Sequence, residues 1–333
     1  MAGHLHAVRW GVLGAGWIAD RAMASAIRTA AGARLHAVAA RDGDRAAAFA
    51  ARHGAATSYG DYAALLDDPD VDAVYVALAN DAHLPWTLAA LAAGKHVLCE
   101  KPLGLTADEV AQMDTAATAA GRLLVEASWY RWHPRVRLAQ RLLAEGAIGS
   151  VRHVSAGFTF AIADDASYRL DPARGGGAMY DVGCYAVSAA LWAFAGAAPR
   201  EVSAQAEIGP SGVDLAMDAI LSFDSGEAQV RVSIHEQGRQ WLVLRGDAGE
   251  MELPDAPYTS WVDSPSELWV SDGSGTARHP VAAADPYRLM VEEVSSAVTG
   301  GPGWVLPLAE SHRCAQVLDA AFESAAAGVP VAL

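Results

Sequence analysis

A glycine-rich turn near the start of the chain is the feature that most restricts its fold. The segment Trp10-Gly-Val-Leu-Gly14-Ala-Gly16-Trp-Ile-Ala19 follows an apolar run of strand character and opens an Ala-rich helical stretch. In that context the glycines permit a tight turn, and free N–H groups at the helix start face an anion. A simple tight turn could use the same glycines, but the flanking strand and helix favour a dinucleotide-binding turn.

Short apolar runs alternate with helical stretches over the first part of the chain. Buried strands are predicted at residues 8–13, 35–40, 74–78, 96–99 and 123–126, and helices at 17–31, 44–53, 82–93 and 107–120. Alternation with near-continuous apolar strands is typical of a parallel sheet covered on both faces. We therefore predict an α/β protein whose N-terminal domain, residues 1–127, is a doubly wound Rossmann sheet.

The hydrophobic period changes in the second part of the chain. Strands are predicted at 151–160, 201–208, 216–223, 229–235, 241–245 and 250–253, with hairpin-turn residues at Asp224-Ser-Gly226 and Asp247-Ala-Gly249. Helices are predicted at 135–145, 178–194, 286–298 and 308–327. Residues 128–333 are thus predicted to form a C-terminal α+β domain with an open, mainly antiparallel sheet, whose C-terminal helix can pack back on the first domain. One sheet face is free for a second subunit, so we expect a homodimer or homotetramer through this sheet.

Charge and cysteine usage exclude several classes of partner. The 24 Lys and Arg against 39 Asp and Glu give a net charge of −15. This charge repels phosphate backbones and anionic lipid, and there is no basic stripe, so nucleic acid and membrane are excluded as partners. The longest apolar run, residues 186–198, is shorter than the roughly 20 residues of a membrane span. Any anionic ligand must therefore be held by hydrogen-bond donors or positive charges at its own binding site.

The histidines and cysteines do not show the spacing of a metal site. Cys99, Cys184 and Cys314 are odd in number and far apart, and no HExxH pattern occurs. We predict no metal and no disulfide framework. Residues 1–10 lack the apolar stretch of a leader peptide, so the cytoplasm is the expected compartment.

The end of the second predicted strand indicates which dinucleotide binds. Ala40 stands where an acid would accept the ribose hydroxyls of NAD, and Arg41 follows it. A guanidinium there suits a 2′-phosphate and adenine stacking, so NADP is favoured over NAD. The alternative is that Arg41 is a solvated loop charge and that Asp42 contacts the ribose.

Further segments carry a resemblance to a known family. Val74-Tyr-Val-Ala-Leu-Ala-Asn80-Asp-Ala-His83 and Ala93-Gly-Lys-His-Val-Leu-Cys-Glu100-Lys101-Pro102 resemble the glucose-fructose oxidoreductase, inositol dehydrogenase and rhizopine-catabolism (Gfo/Idh/MocA) family. The glycine turn, residues 126–134, and Gly175-Gly-Gly177 leading to Asp181-Val-Gly-Cys-Tyr185 extend the resemblance over nearly the whole chain. Most members have His where Tyr185 stands; tyrosine resembles the branch with sugar 1-dehydrogenases and dimeric dihydrodiol dehydrogenase.

The resemblance and the residue types together predict three catalytic residues. Lys101 follows the carboxyl end of a strand, where it can polarise a substrate oxygen; its alternative is a surface lysine. Tyr185 is predicted to donate or accept the proton, with buried aromatic packing as the alternative. Asp181 lies four residues before Tyr185 on one helix face and is predicted to orient Lys101 and a substrate hydroxyl. Its alternative role is a first-turn carboxylate favoured by the helix dipole.

The resemblance also implies cofactor and substrate contacts. Cofactor contacts are expected from Gly14, Gly16, Trp17, Ile18, Ala40, Arg41, Asn80, His83, Glu100 and Lys101. For Trp17 a core position is equally compatible, for Asn80 a helix cap, and for Glu100 a role in fixing its loop. Substrate contacts are expected from Lys101, Arg131, His133, Arg169, Asp181 and Tyr185, although Arg131, His133 and Arg169 are equally compatible with structural roles.

These observations predict an NADP-dependent oxidoreductase that moves hydride between nicotinamide and a carbinol or carbonyl carbon of a sugar or polyol. A trans-dihydrodiol dehydrogenase is the alternative enzyme, because the aromatic residues Trp129, Tyr130 and Trp132 suit a flatter cyclic diol. A non-catalytic regulator that senses NADP or a sugar is the alternative of another class, and it would not need Lys101 together with Tyr185.

Overall fold

A computed structural model of the chain describes residues 7–164, 167–260 and 264–333. Residues 1–6, which contribute to the expectation about a leader peptide, lie outside the described residues. The described strands are β1 (Val8–Leu13), β2 (Ala33–Ala39), β3 (Thr57–Tyr59), β4 (Ala73–Val76), β5 (His96–Cys99), β6 (Leu124–Glu126), β7 (Val151–Ala161), β8 (Glu201–Ile208), β9 (Asp214–Ser222), β10 (Glu227–Ser233), β11 (His235–Gly246), β12 (Glu250–Glu252), β13 (Ser266–Asp272), β14 (Gly275–Val281) and β15 (Val331–Ala332).

The described helices are α1 (Ala24–Thr29), α2 (Gly43–His53), α3 (Tyr62–Leu66), α4 (His83–Ala92), α5 (Ala107–Ala120), α6 (Pro134–Ala144), α7 (Cys184–Ala193), α8 (Pro286–Val298) and α9 (Leu308–Ala327). A π-helical turn precedes α1 at Ala19–Met23, and another precedes α7 at Met179–Gly183. Among the described residues, no helix is both long enough and apolar enough to cross a bilayer.

The chain divides into two compact units. The first comprises Met1–Gly104, Asp108–Trp129 and Asp285–Leu308, and the second comprises Leu105–Ala107, Tyr130–Ala284 and Ala309–Leu333. Helix α8 therefore belongs to the first unit, where the indole N–H of Trp10 on β1 donates to the hydroxyl of Ser295 on α8 at 3.0 Å. The last helix, α9, belongs to the second unit.

The first unit contains a parallel sheet with the strand order β3-β2-β1-β4-β5-β6. The predicted doubly wound sheet is confirmed. Strand order reverses between β1 and β4, and ligands of such sheets bind at the carboxyl ends of the strands beside that point. The glycine turn follows β1 at this edge, and Lys101 follows β5 at the same edge. Strand β3 was not predicted because it has three residues and none is fully buried.

The second unit contains a mixed sheet with the order β14-β13-β12-β11-β7-β10-β9-β8-β15. Among the described pairs only β7 with β10 is parallel, so the predicted mainly antiparallel sheet is confirmed. Both predicted hairpin turns form, because Phe223 N–H donates to Gly226 O and Gly246 N–H donates to Gly249 O, each at 2.8 Å. Strands β13, β14 and β15 were not predicted.

A buried arginine holds one loop of the second unit against α6. Arg135 has no exposed surface, and its guanidinium donates to the carbonyl oxygens of Pro254 at 2.6 Å and Ala256 at 2.9 Å. Asp255 and Ala256 have φ values of 49° and 50°, a conformation that non-glycine residues rarely adopt without outside support. Burial lowers the pKa of Arg135 to about 10. The loop places Tyr258 in the core beneath Tyr185.

We expect Arg135→Met to lower the free energy of unfolding of the second unit by about 3 kcal/mol, because several buried carbonyls would lose their donor. The measurement is urea unfolding followed by tryptophan fluorescence. Arg141→Met, an exposed position on the same helix, is the control and should change this free energy by less than about 0.5 kcal/mol. Equal effects of the two substitutions on the free energy of unfolding would show that Arg135 does not hold this loop.

Candidate active site

The turn after β1 needs glycine at one position in particular. Gly14 has a φ of +103°, and a Cβ there would lie 2.5 Å from the carbonyl oxygen of Ala77 in the loop after β4. Its N–H donates to Ala39 O at the end of β2. The backbone of this turn therefore passes close to both neighbouring strands, which leaves its outer side open to a ligand. Gly16, the next glycine, has no comparable crowding.

The two residues after these glycines lie on the open side of the turn. Trp17 is 69% exposed, so the alternative of a core tryptophan is wrong. The guanidinium of Arg21 lies over its ring, 5.6 Å from the centroid. Ile18 is half-buried at the start of the π-helical turn. An exposed indole beside a dinucleotide-type turn is available to cover a bound cofactor.

Arg41 and Asp42 follow β2 and have different surroundings. Ala40 is buried and Arg41 is exposed. The carboxylate of Asp42 caps α2, because its Oδ1 accepts from Asp44 N–H at 3.0 Å and Arg45 N–H at 3.2 Å. The cap engages Oδ1 of Asp42 at the helix start, whereas the guanidinium of Arg41 is exposed, so the structure favours Arg41 as the ligand-facing residue of this edge.

Arg45 is a residue of this edge that the sequence analysis did not identify. Its Nε and Nη2 donate to the carbonyl oxygen of Ala15 at 3.0 and 2.7 Å. Arg45 thus ties α2 to the glycine turn. Its position one helical turn after Arg41 was the available signal, but the carbonyl partner lies 30 residues away in sequence.

The loop after β4 contains two residues that were predicted to contact the cofactor, and their surroundings differ. Asn80 is buried at the first position of a 3₁₀ turn, and Ala79, not Asn80, occupies the capping position. His83 is fully buried, with Nδ1 2.8 Å from Pro102 O and Nε2 3.2 Å from Leu78 O. Burial lowers the pKa of His83. His83 therefore joins two loops through their backbones, in place of the direct cofactor contact expected from the sequence.

Buried carboxylates hold the Lys101 loop from below. Glu100 is buried, accepts a short hydrogen bond from the Tyr75 hydroxyl, and also accepts from Lys101 N–H at 3.3 Å. Burial raises the pKa of Glu100, whereas the nearby positive charge of Lys101 acts in the opposite direction. Glu126 at the end of β6 accepts from Leu103 N–H at 3.2 Å. Glu100 thus fixes its loop, which agrees with one of the two roles considered for it.

Lys101 itself is half-buried, and the peptide bond that joins it to Pro102 is cis. It comes two residues after the end of β5, at the edge of the sheet that also carries the glycine turn. Anchored backbone on both sides limits the positions that its ammonium group can reach.

In the second unit, Asp181 and Arg169 form an ion pair. Arg169 Nε donates to Asp181 Oδ2 at 2.7 Å, and Asp181 is 5% exposed. Burial acts to lower the pKa of Arg169, but the charge of Asp181, the hydrogen bond to it and the phenol groups of Tyr168 and Tyr185 together raise the pKa. The pair keeps a fixed carboxylate and a fixed guanidinium beside each other.

Tyr185 is the second residue of α7, and three aromatic rings surround it. Its ring centroid lies 5.6 Å from Tyr130, 6.0 Å from Phe158 and 6.0 Å from Tyr258. Such packing fixes the plane of the phenol ring. Asp181 lies within the π-helical turn that precedes α7, and turns of this kind are frequent at functional sites.

Two predicted substrate residues have structural partners in the second unit. His133 caps α6, because its Nδ1 accepts from Arg135 N–H at 3.1 Å, and burial lowers its pKa to about 4. Arg131 is buried, pairs with Glu310 at 2.8 Å, and lines with it a cavity of about 540 Å³ inside this unit. These contacts favour structural roles for both residues.

One group of possible metal ligands exists in the part of the chain that the structure describes. His36, Asp68 and Asp70 bring donor atoms within 4.8 Å of one another. Asp68 Oδ2 already accepts from Tyr59 and lies 3.1 Å from His36 Nε2, and Arg9 pairs with Asp70. We interpret the group as a hydrogen-bonded network, and the sequence-based expectation of no metal stays a prediction.

The predicted residues thus form one group in each unit. Gly14, Gly16, Trp17, Ile18, Ala40, Arg41, Asn80, Glu100 and Lys101 lie at the carboxyl ends of β1, β2, β4 and β5, and Arg169, Asp181 and Tyr185 lie around the start of α7. The first group fits a dinucleotide, since the glycine turn leads from β1 into a helical segment, an exposed indole follows it, and an exposed guanidinium follows β2.

Comparisons with known proteins agree with this geometry. A family model described as an oxidoreductase family with an NAD-binding Rossmann fold matches residues 8–128, and a Gfo/Idh/MocA C-terminal domain model matches residues 136–252. A D-xylose 1-dehydrogenase (NADP(+)) of Haloferax volcanii is 36% identical over 326 residues, which cover 97% of this chain and 99% of that protein. A trans-1,2-dihydrobenzene-1,2-diol dehydrogenase of Macaca fuscata fuscata is 36% identical over 337 residues, 94% of this chain and 95% of the relative.

A solved structure shares the fold over nearly its whole length. KijD10, a 3-ketoreductase from Actinomadura kijaniata in complex with NADP and TDP-benzene, superimposes with a TM-score of 0.89 at 29% identity, covering 95% of this chain and 97% of that one. Variants of KijD10 with a tyrosine changed to phenylalanine or a lysine changed to alanine have been solved with the same ligands. The sequence-based resemblance is confirmed, and the chain belongs to the Gfo/Idh/MocA family of oxidoreductases.

Proposed function

We propose that the protein is an NADP-dependent oxidoreductase that transfers hydride between nicotinamide and a carbinol or carbonyl carbon of a sugar or polyol. The observation that carries the proposal is the anchoring of Lys101. Its loop follows β5 at the ligand-binding edge of the parallel sheet and is held by the buried carboxylates of Glu100 and Glu126. A lone surface lysine would not need such support.

The second strand supports NADP over NAD. Asp42 uses its oxygen to cap α2, and the exposed guanidinium of Arg41 precedes it, which suits a 2′-phosphate better than a ribose diol. When bound, NADP supplies the C4 carbon of nicotinamide as hydride donor or acceptor. The relatives named for NADP point in the same direction.

Residues of the chain polarise the substrate oxygen, transfer the proton and orient the substrate. Lys101 donates a hydrogen bond to the substrate oxygen and stabilises the negative charge that develops there. Tyr185 gives a proton to that oxygen in the reduction direction and removes it in the oxidation direction. The guanidinium of Arg169 interacts electrostatically with Tyr185, so it favours the negative charge that develops on the phenol oxygen when the tyrosine removes a proton. Asp181, held by Arg169, orients a substrate hydroxyl.

The charged pair supports a polyhydroxylated substrate. The buried carboxylate of Asp181 and the half-buried guanidinium of Arg169 gain hydrogen bonds from substrate hydroxyls and would lose them with a simpler alcohol. The named D-xylose dehydrogenase relative fits this class. A trans-dihydrodiol is the second candidate, favoured by the equally similar dihydrodiol dehydrogenase relative.

The aromatic residues that first suggested the diol do not support it. Trp129, Tyr130 and Trp132 are all at most 3% exposed, and Trp129 stacks on Tyr287 with ring centroids 4.6 Å apart. They contribute to packing. We therefore place the sugar ahead of the diol.

We further propose a cytoplasmic homodimer or homotetramer. The three cysteines are buried free thiols, as a reducing compartment allows. The outer face of the second sheet contains a groove of about 480 Å³ between Trp241, Ile220 and Arg231, and a second copy of the chain would cover it.

Removal of either reacting group should greatly slow turnover. We expect Lys101→Met and Tyr185→Phe each to lower kcat by about 10²- to 10⁴-fold, while Tyr185→Phe keeps the Kd for NADP within threefold. The measurement is NADP reduction at 340 nm with D-xylose, other aldoses, polyols and trans-1,2-dihydrobenzene-1,2-diol. Tyr62→Phe, on a ring that contacts Trp86, is the control and should keep wild-type kcat. NADP binding without turnover of any substrate would instead support the sensor.

Arg41 should determine the choice of dinucleotide. We expect Arg41→Ala to reduce the ratio of NADP to NAD affinity by about 10- to 100-fold, because the 2′-phosphate loses its charged partner. Fluorescence titration with both dinucleotides measures the ratio. Arg34→Ala, an exposed arginine of β2 away from its carboxyl end, is the control. An unchanged ratio in Arg41→Ala would show that another group reads the phosphate.

A charge on the sheet face should disrupt assembly. We expect Ile220→Glu, at a position 42% exposed, to convert the oligomer to a monomer in light scattering after size-exclusion chromatography, with unchanged circular dichroism. Val329→Glu, at another exposed apolar position, should leave the mass unchanged. A wild-type chain that is already monomeric at micromolar concentration would refute the assembly proposal.

A further inference from the structure

We propose that Asp214 is a positioning residue whose buried carboxylate holds the start of the helical segment that carries Asp181 and Tyr185. The inference rests on the proposed function, because it assigns the purpose of that segment to catalysis. Asp214 lies more than 25 residues beyond Tyr185 in sequence and does not belong to any motif of the sequence analysis.

The carboxylate closes the N-terminal end of this helical segment. Asp214 is 3% exposed, and its Oδ2 accepts from Met179 N–H at 2.7 Å. The nearby backbone N–H of Ala178 acts to lower the pKa of this carboxyl group. Helix starts leave backbone donors without partners, and the carboxylate supplies an acceptor for that of Met179.

The preceding glycine turn is shaped around this carboxylate. Gly177 has a φ of +116°, and a Cβ there would lie 1.9 Å from Asp214 Oδ1. A Cβ on Gly176 would lie 2.5 Å from the carbonyl oxygen of Arg169. No side chain fits at either position, which explains why glycines fill the turn.

The same turn fixes Arg169 as well as the helix start. Gly177 N–H donates to Arg169 O at 2.9 Å, and Asp181 N–H donates to Gly177 O at 3.1 Å. Arg169 then reaches Asp181 through its side chain. A displacement of the turn would move both partners of this ion pair, together with Tyr185 one turn further along.

Asp214 is held by a rigid element. It is the first residue of β9, which pairs with β8 on one side and β10 on the other. The next residue, Leu215, accepts a hydrogen bond from Ile234 N–H at 2.8 Å. The sheet therefore fixes the position of Asp214, and Asp214 fixes the helix start. Catalytic side chains require precise placement of this kind.

Burial makes this cap costly. It raises the pKa of Asp214 to about 7, although the backbone N–H groups act in the opposite direction. An exposed serine or asparagine caps most helices without such a desolvation cost. The chain retains a buried carboxylate here despite that cost, at the place where Met179 N–H needs an acceptor.

The test compares two helix caps of the same chemistry. Asp285 caps α8 through Tyr287 N–H and Arg288 N–H, and α8 contains none of the proposed catalytic residues. We expect Asp214→Asn to lower kcat by about 10-fold and Asp214→Ala by about 100-fold. The Kd for NADP should stay within threefold, because the proposed cofactor residues lie in the first unit. Asp285→Ala should lower the thermal midpoint and leave kcat unchanged.

A second variant keeps the proposal testable if the Asp214 variants do not fold. Gly177→Ala keeps Asp214 in the chain, but the added methyl group would collide with Asp214 Oδ1 and displace the carboxylate. We expect the same selective loss of kcat. The proposal is overturned if folded Asp214→Asn, or Gly177→Ala in its place, keeps wild-type kcat while Tyr185→Phe is inactive. If Tyr185→Phe is itself fully active, the proposed function fails and the positioning role fails with it.

Discussion

Buried carboxylates that accept backbone hydrogen bonds support both groups of proposed catalytic residues. Glu100 and Glu126 hold the loop of Lys101, and Asp214 holds the helix start before Asp181 and Tyr185. A charged acceptor forms stronger hydrogen bonds than a neutral one, and burial removes the water that would compete. The backbones that carry Lys101, Asp181 and Tyr185 are therefore held in place. The cost is the desolvation of three carboxylates.

The same logic explains how an acidic protein can bind an anionic cofactor. With a net charge of −15, the chain offers no general attraction to phosphate. The turn at Gly14 and the guanidinium of Arg41 supply local donors, and Arg45 ties this turn to α2 through the carbonyl of Ala15. Asp42, which would compete for the same region as a free carboxylate, is engaged by the helix start.

Much of the fold follows from the hydrophobic pattern, and the exceptions have physical causes. Alternating strands and helices were enough to predict the parallel sheet, because buried parallel strands are apolar along their whole length. Strand β3 is too short for such a signal, and β14 is largely exposed. The parallel pairing of β7 with β10 joins residues more than 60 apart, which hairpin spacing does not reveal. The return of α8 to the first unit likewise depends on contacts such as that of Trp10 with Ser295.

The candidate site shows the same division. Gly14, Lys101 and Tyr185 were identified because each lies in a local motif that limits its surroundings. Arg45 and Asp214 were missed because their partners are backbone groups 30 and 35 residues away. His83 was predicted to contact the cofactor and His133 the substrate, but their ring nitrogens contact backbone atoms. The sequence alone does not distinguish a ligand from a backbone partner.

The central claim is that one ammonium and one phenol act on the same substrate oxygen. A crystal structure of the protein with NADP and a slowly reacting polyol measures this directly. Our account predicts that Lys101 Nζ and Tyr185 Oη both lie within about 3.2 Å of one hydroxyl oxygen of the polyol, the distance of a hydrogen bond. A bound polyol whose nearest oxygen is contacted by neither group, or by only one of them with the other turned away, would contradict it.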